Sequence, residues 1–348
     1  MSDFLKKNEI RFSVIVAVFN GEKTVNRCIN SINAAKKDYN IDLIIINDGS
    51  TDNTSEILDF WVQKTTWIKI INQNNSGVAI ARNKGLDFVN GNYVCFIDAD
   101  DTIDDWYFDF IYENIKETNL DMLIFGHKRI LLNGCIIERR NKNLELSEPD
   151  LKEIGLRVTE NRNIYWYTCT RVFNFNSIQD IRFNSKIRLG SDVIFIIEAI
   201  SKSNRIKVVE ECPYNYYENS NSITSSKFKK ELLSSIESHF DARLKVNIKP
   251  NNKIEENILL NDFAKSYVGH MLPYLLNNIF HMSKKDQIKE IKNIRNSKVY
   301  LSLMSIYKVN NKTPIMNIVI FLFKNNFYWL TLYTLKFIWF LKKFRKVD

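Results

Sequence analysis

Four apolar, β-branched runs dominate the first hundred residues. Each is cut off by polar residues and then followed by a stretch of helical period. Residues 12–19 are almost continuously apolar, which suits a strand buried on both faces; Asn20-Gly21 ends them. Residues 22–35 then place Val25, Cys28, Ile29 and Ile32 at helical spacing. A second strand, 41–46, stops at Asn47-Asp48-Gly49-Ser50, and a helix over 51–61 carries Asp52 and Glu56 near its start, where the helix dipole favours them. A short strand over 67–71, a helix over 78–88 closed by Asn90-Gly91, and a strand over 93–97 complete the series. Parallel strands need such crossovers, so the pattern predicts a doubly wound α/β sheet.

In an open α/β sheet, ligands bind beyond the carboxyl ends of the strands. Here those ends supply Phe19 and Asn20, then Asp48 to Ser50, the loop 72–77, and Asp98-Ala99-Asp100-Asp101. No G-x-G-x-x-G follows the first strand and no G-x-x-x-x-G-K-[ST] occurs, which argues against the usual dinucleotide and P-loop sites. Three carboxylates within four residues of a strand end suit a hard divalent cation completed by substrate phosphates. A solvated loop whose acids cap a helix starting near Asp104 is the alternative.

Charge divides the chain. Residues 231–348 hold 19 Lys/Arg against 9 Asp/Glu, while the first 230 hold 30 against 31. The basic residues of the tail are spread out and carry no recognisable binding motif, so a nucleic-acid partner is not expected. Five Cys without a C-x-x-C pair exclude a zinc ribbon or a disulfide framework and suit a reducing cytoplasm. No basic start with an apolar run is present, so no secretory signal is expected.

The front half resembles the family 2 glycosyltransferases, which have the GT-A fold. The resemblance rests on the strand Ser13-Val14-Ile15-Val16-Ala17-Val18-Phe19-Asn20, on Ile46-Asn47-Asp48-Gly49-Ser50-Thr51-Asp52, on the segment 73–85 around Asn75 and Arg82, and on Phe96-Ile97-Asp98-Ala99-Asp100-Asp101. These four motifs stand in the family's order and spacing. They cover about 12–105, with a looser match to about 224. The family usually has Pro where Ala17 stands. The resemblance implies an inverting, metal-assisted hexosyl transfer from a nucleotide-diphosphate donor such as a UDP-sugar. Val18 and Phe19 would line the base pocket, and Asp48 would accept a hydrogen bond from the base. Asn75 and Arg82 would hold the nucleotide side of the donor. Asp98 would contact the ribose or the metal's water shell, and Asp100 would ligate Mn2+ or Mg2+. Such groups neutralise a leaving diphosphate where its charge grows. From the residues alone, a surface helix charge is the alternative for Arg82.

An inverting transfer also needs a carboxylate beside the acceptor hydroxyl. Gly190-Ser191-Asp192, opening an apolar helix, matches the family's Gly-Glu-Asp-like string, so Asp192 is implied as general base, with Ser191 in place of the usual Glu. Read without the resemblance, Asp192 could be a helix N-cap. Arg171, where the family often has Lys, is implied near the diphosphate or the acceptor. His239 as a further metal ligand is a distant alternative.

The expected organisation is a GT-A catalytic domain over 1–225 and a basic helical region over 226–348. In the latter, 315–323 and 327–341 are apolar and aromatic, and Lys342, Lys343, Arg345 and Lys346 follow. Neither run reaches the roughly 20 residues of a spanning helix. Aromatic helices with basic ends suit the interface of an anionic inner leaflet. A buried helix pair or a homo-oligomer contact is the alternative, with a helix spanning through Asn325-Asn326 as a third. The donor motifs and Asp192 precede this region, so the chemistry is expected not to need it. The expected enzyme is cytoplasmic, peripheral at the inner face of the membrane. By family analogy it builds bacterial surface polysaccharide on a glycan or lipid-linked glycan acceptor. The rival reading is a non-catalytic membrane-associated scaffold with a transferase-like domain.

Overall fold

The structure is a computed structural model that describes residues 9–116, 118–188, 190–219, 231–245, 252–280, 282–307 and 314–344. Strands β1 (Arg11–Val18), β2 (Asn40–Asn47), β3 (Ile68–Asn72) and β4 (Tyr93–Phe96) alternate with helices α1 (Val25–Lys36), α2 (Thr54–Lys64) and α3 (Val78–Leu86). Each falls within three residues of its expected bounds. The first helix starts late because residues 20–24 are spent on a turn, with Asn20 in the left-handed region at φ 52° and Gly21 accepting from the Thr24 and Val25 amides.

The chain continues through β5 (Thr102–Ile103), α4 (Tyr107–Ile115), β6 (Met122–Ile124), β7 (His127–Ile130), β8 (Ile136–Arg139) and β9 (Leu144–Leu146). Next come α5 (Glu148–Leu156), α6 (Arg162–Tyr165), a 3-10 turn (Thr168–Thr170), β10 (Arg171–Asn174), α7 (Phe175–Ile178), α8 (Ser191–Ser201), β11 (Ile206–Val208) and β12 (Tyr214–Tyr217). The large sheet has the order β3-β2-β1-β4-β10-β6-β11-β9. Pairing directions align β3, β2, β1, β4, β6 and β11, while β10 and β9 run against them. The sheet is therefore mostly parallel. Because β10 is antiparallel to β4, it begins beside the carboxyl end of β4 and brings Thr168–Thr170 to the same rim. A second sheet, β5-β12-β7-β8, stands beyond that rim.

One aromatic group ties helix α8 to the sheet. Phe96 packs edge-on against Phe173, Phe183 and Phe195 at centroid distances of 5.9, 5.4 and 5.7 Å, and Phe183 stacks on Phe195 at 4.1 Å. Each such contact adds about 0.5–1.5 kcal/mol beyond its buried area. The first turn of α8 is thereby fixed opposite the end of β4.

The helical tail is α9 (Leu232–Lys245), α10 (Lys253–Ser266), a π-turn (Tyr267–Met271), α11 (Leu272–Ile279), α12 (Lys284–Asn296), α13 (Lys298–Met304), α14 (Pro314–Lys324) and α15 (Tyr328–Phe344). The π-turn precedes Pro273, whose ring and missing N–H would otherwise break the ladder of a continuous helix. The expected boundary at 225/226 lies outside the described residues. The tail packs on the front. Arg243 of α9 and Asp262 of α10 form a buried ion pair at 2.6 Å, and Asp262 also accepts from the amide and hydroxyl of Thr159. Nor does the last hairpin hang free. Val319, Phe323 and Leu332 are buried in the helical core, so removing 315–348 would open it, contrary to the expectation that the segment is separable. Asp262→Ala leaves the Arg243 guanidinium buried and unpaired. It is expected to cost about 3–5 kcal/mol, read as a lowered denaturant midpoint with an unchanged slope.

Candidate active site

The rim of the large sheet is built from the ends of β2, β1 and β4 and from the turn before β10. At the end of β2, Asp48 is almost fully buried. Its Oδ1 accepts from Gln73 Nε2 at 2.7 Å and from the Ser76 amide at 2.8 Å, and its Oδ2 from the Gly77 amide at 2.8 Å. Asp48 thus folds the loop 73–77 over the rim, and Oδ2 keeps capacity for one further donor. Gly49 allows the close approach. It sits at φ +74°, and a Cβ there would stand 2.6 Å from the Asn75 amide nitrogen. Asn75 itself is exposed. Of the two residues expected to line a base pocket, Phe19 is 50% exposed at the rim, whereas Val18 is buried beneath it and its carbonyl accepts from the Asp48 amide.

The acids after β4 divide their work. Asp101 is buried, with Oδ2 accepting from the Tyr214 hydroxyl at 2.6 Å and Oδ1 from the Tyr217 amide at 2.8 Å. It anchors β12 to the rim; burial and then the negative charge of Asp98 raise its pKa. Asp100 stays partly open, its carboxyl also raised by burial and by Asp98. Its carbonyl accepts from Arg27, whose guanidinium lies 3.7 Å from the centre of the Tyr217 ring.

Arg82 joins this strand end to α8. Its Nη1 donates to Asp192 Oδ1 and its Nη2 to Asp98 Oδ1, each at 2.7 Å, across 110 and 16 residues of sequence. The guanidinium is buried, 5.3 Å from the centre of the Phe183 ring. Burial alone would lower its pKa, but the charges of Asp192 and Asp98 outweigh that and raise it. The two carboxylates keep about a third of their surface open. Arg82, expected at the nucleotide side of the donor, thus has both terminal nitrogens committed to the acids. Asp192 is not the cap of its helix. Gly190 is, at φ +82°, and the His239 ring lies 3.1 Å from where a Cβ would stand. Asp192 Oδ2 has one long contact, 3.3 Å from the Thr168 hydroxyl, and is the freer oxygen.

Arg171 does not reach the rim. It is fully buried and donates to the carbonyls of Ile164 and Tyr167 and to the Thr170 hydroxyl, and burial pushes its pKa down to about 10. The expectation of a contact to diphosphate or acceptor is corrected accordingly. The spacing did not point to Thr168 or Arg27, neither of which stands in a motif.

Asp98 and Asp100 present oxygen ligands of the kind a hard divalent cation takes. Among the described residues, another grouping brings Asp98, Asp101 and Cys169 ligand atoms within 4.8 Å of one another. It fits such a cation poorly: burial holds the Cys169 thiol well above its usual pKa, and Asp101 spends both oxygens on Tyr214 and Tyr217. His239 lies against Gly190, is held neutral by burial, and is not part of that grouping.

Comparison with known proteins agrees with this architecture. Residues 13–182 match the model of glycosyl transferase family 2. An uncharacterized glycosyltransferase of Bacillus subtilis, EpsJ, is 27% identical over 288 residues, 81% of this chain and 82% of that protein. The poly(ribitol-phosphate) beta-N-acetylglucosaminyltransferase TarS of Staphylococcus aureus is 27% identical over 215 residues, 60% of this chain and 35% of that protein. The crystal structure of TarS residues 1–349 in complex with UDP-GlcNAc superposes with a TM-score of 0.64, covering 94% of this chain and 91% of that one at 20% identity. The likeness shows a shared GT-A fold. Residues 13–182 of the chain form a glycosyl transferase family 2 domain.

Proposed function

We propose that the protein transfers a hexose from a UDP-sugar, with inversion, to a hydroxyl of a glycan or lipid-linked glycan, in the assembly of a bacterial surface polymer. The observation that carries this is the Arg82 bridge, which sets Asp98 and Asp192 on either side of one buried cation. On the donor side, Phe19, Asp48 and Asn75 bound the space for the nucleotide. Asp100, with Asp98, would hold Mn2+ or Mg2+, which when bound neutralises the leaving diphosphate. On the other side, Asp192 takes the acceptor's proton through Oδ2. The freed oxygen attacks the anomeric carbon opposite the diphosphate, and UDP departs with the electrons of the broken bond. Pairing with Arg82 fixes Asp192 in direction, as a base must be. TarS, crystallised with UDP-GlcNAc, supports the choice of donor class. Retention of both Asp100 and Asp192 favours an enzyme over a scaffold.

The test is a pair of variants. Asp100→Ala is expected to lose Mn2+-dependent stabilisation by UDP-sugars in a thermal-shift assay, together with turnover. Asp192→Asn should keep donor binding within a few-fold while turnover falls by roughly 10²–10⁴. Near-normal turnover in Asp100→Ala would remove the metal assignment, and equal loss of donor affinity and rate in Asp192→Asn would make that residue structural.

A peripheral position at the inner membrane face is the second part of the proposal. Among the described residues, no helix is long and apolar enough to cross a membrane. Hairpin α14–α15 has two apolar faces. One is core, and on the other Ile318, Phe321, Trp329, Leu330, Tyr333 and Phe337 are each at least half exposed. An uncovered aromatic face followed by a run of cations suits an anionic bilayer. The triple variant Trp329→Ser, Tyr333→Ser, Phe337→Ser removes no buried side chain. It should keep the melting temperature and donor hydrolysis but lose sedimentation with phosphatidylglycerol vesicles. Wild-type binding should weaken with salt without vanishing. Failure of the wild type to bind such vesicles, with a dimer dissociated by the same substitutions, would make this face a homo-oligomer contact instead.

A further inference from the structure

We infer that Tyr167, backed by His127 and Tyr216, is the platform on which a pyranose ring of the acceptor lies, with its reacting hydroxyl directed at Asp192. This deepens the glycosyl-transfer reading and rests on it.

Tyr167 directly precedes Thr168, whose hydroxyl is 3.3 Å from Asp192 Oδ2, the freer oxygen of the candidate base. Across the sheet the rim runs from Asp48 on β2 to Phe19 on β1, then the acids after β4, then Tyr167 before β10. Tyr167 therefore stands on the far side of the acids from the nucleotide residues. A ligand there meets the base and not the base pocket.

The Tyr167 ring centroid lies 5.2 Å from that of His127 and 6.3 Å from that of Tyr216, and His127 and Tyr216 are 6.2 Å apart. Although packed in this group, Tyr167 remains 42% exposed. Its backbone sits at φ 67°, a conformation that strains a bulky residue. That cost is met by a dedicated clamp, since the Tyr167 carbonyl accepts from the buried Arg171 Nη1 and from the Thr170 hydroxyl. A buried guanidinium spent on backbone carbonyls is itself expensive. Here it fixes the backbone that carries one half-exposed ring, one residue before the contact to Asp192. Arg171 is thus a positioning residue, acting through Tyr167.

The surface chemistry specifies the ligand. Burial and the neighbouring Arg139, Arg129 and Arg171 push the His127 pKa down to about 4, so the imidazole packed against the two phenol rings is uncharged at neutral pH. Neutral aromatic faces offer an apolar surface with a polar tip. A pyranose matches this with one C–H face and a rim of hydroxyls. An open-chain polyol phosphate has no such face, which separates the two acceptor chemistries.

The experiment compares wild type with Tyr167→Phe, Tyr167→Ala and Tyr167→Gly. The donor is the UDP-sugar that most raises the melting temperature with Mn2+. Each protein is given methyl β-glucopyranoside, methyl β-galactopyranoside or methyl N-acetyl-β-glucosaminide, and the partition of donor between transfer and hydrolysis is read. Tyr167→Ala should shift that partition toward water about tenfold, the scale of one lost ring contact. Tyr167→Phe should retain it. Tyr167→Gly relieves the backbone strain while removing the ring, so it should match Tyr167→Ala even if the latter is poorly folded. An unchanged partition in both Ala and Gly variants overturns the platform, as does wild-type transfer to ribitol phosphate with none to any pyranoside. Absence of UDP-sugar turnover by the wild type would instead remove the glycosyl-transfer reading beneath it.

Discussion

A single buried guanidinium holds this site together. Arg82 reaches Asp98 with one nitrogen and Asp192 with the other, both at 2.7 Å. Without that cation, the carboxylates of Asp98 and Asp192 would face each other across a rim that already carries Asp100 and Asp101, and their mutual repulsion would push the end of β4 and the start of α8 apart. Without the carboxylates, the guanidinium would lie buried and unpaired, at a cost of several kcal/mol. Each group justifies the burial of the others. The bridge also makes one object of two sequence regions, the donor-side motif near residue 98 and the helix that begins at Ser191.

The rest of the front half keeps that object in place. The ring cluster of Phe96, Phe183 and Phe195 lies beneath Arg82 and sets the separation of β4 from α8. Gly190, close against His239, allows α8 to start where Asp192 meets the guanidinium. Asp101 draws Tyr214 and Tyr217 toward the rim, so that the second sheet walls one side of it. The tail contributes through the Arg243–Asp262 pair, which locks α9 and α10 to the loop at Thr159. Catalytic geometry here is a property of long-range packing, while the ligand-facing groups themselves are few.

Much of this was legible in the chain. The alternation of buried strands and helices located β1 to β4 within a few residues because period and length distinguish them strongly. The placement of Asp48, Asp98 and Asp100 at strand ends followed from the same reading. What escaped it was pairing between distant segments. Nothing in the neighbourhood of Arg82 announces Asp192, 110 residues on. Arg171 sits where a ligand-binding cation is expected, yet it is wholly buried against carbonyls, a fate that depends on how β10 begins. The hairpin β7–β8 did leave a sign, Asn133-Gly134 with Gly134 at φ +83°, but its strands are half-exposed or exposed and show no clean alternation. Hairpin α14–α15 was ambiguous for a different reason. It is apolar on both faces, and only the tertiary arrangement decides which face is core.

The most direct test of this account is the Arg82→Lys variant, assayed for UDP-sugar turnover beside its melting temperature. An ammonium keeps the charge but lacks the planar fork that reaches two carboxylates at once. The bridge predicts a folded protein whose turnover falls about 100-fold, as the base drifts from its line of attack. Turnover within a few-fold of wild type, in a folded Arg82→Lys protein, would contradict the claim that one guanidinium aligns donor acid and base.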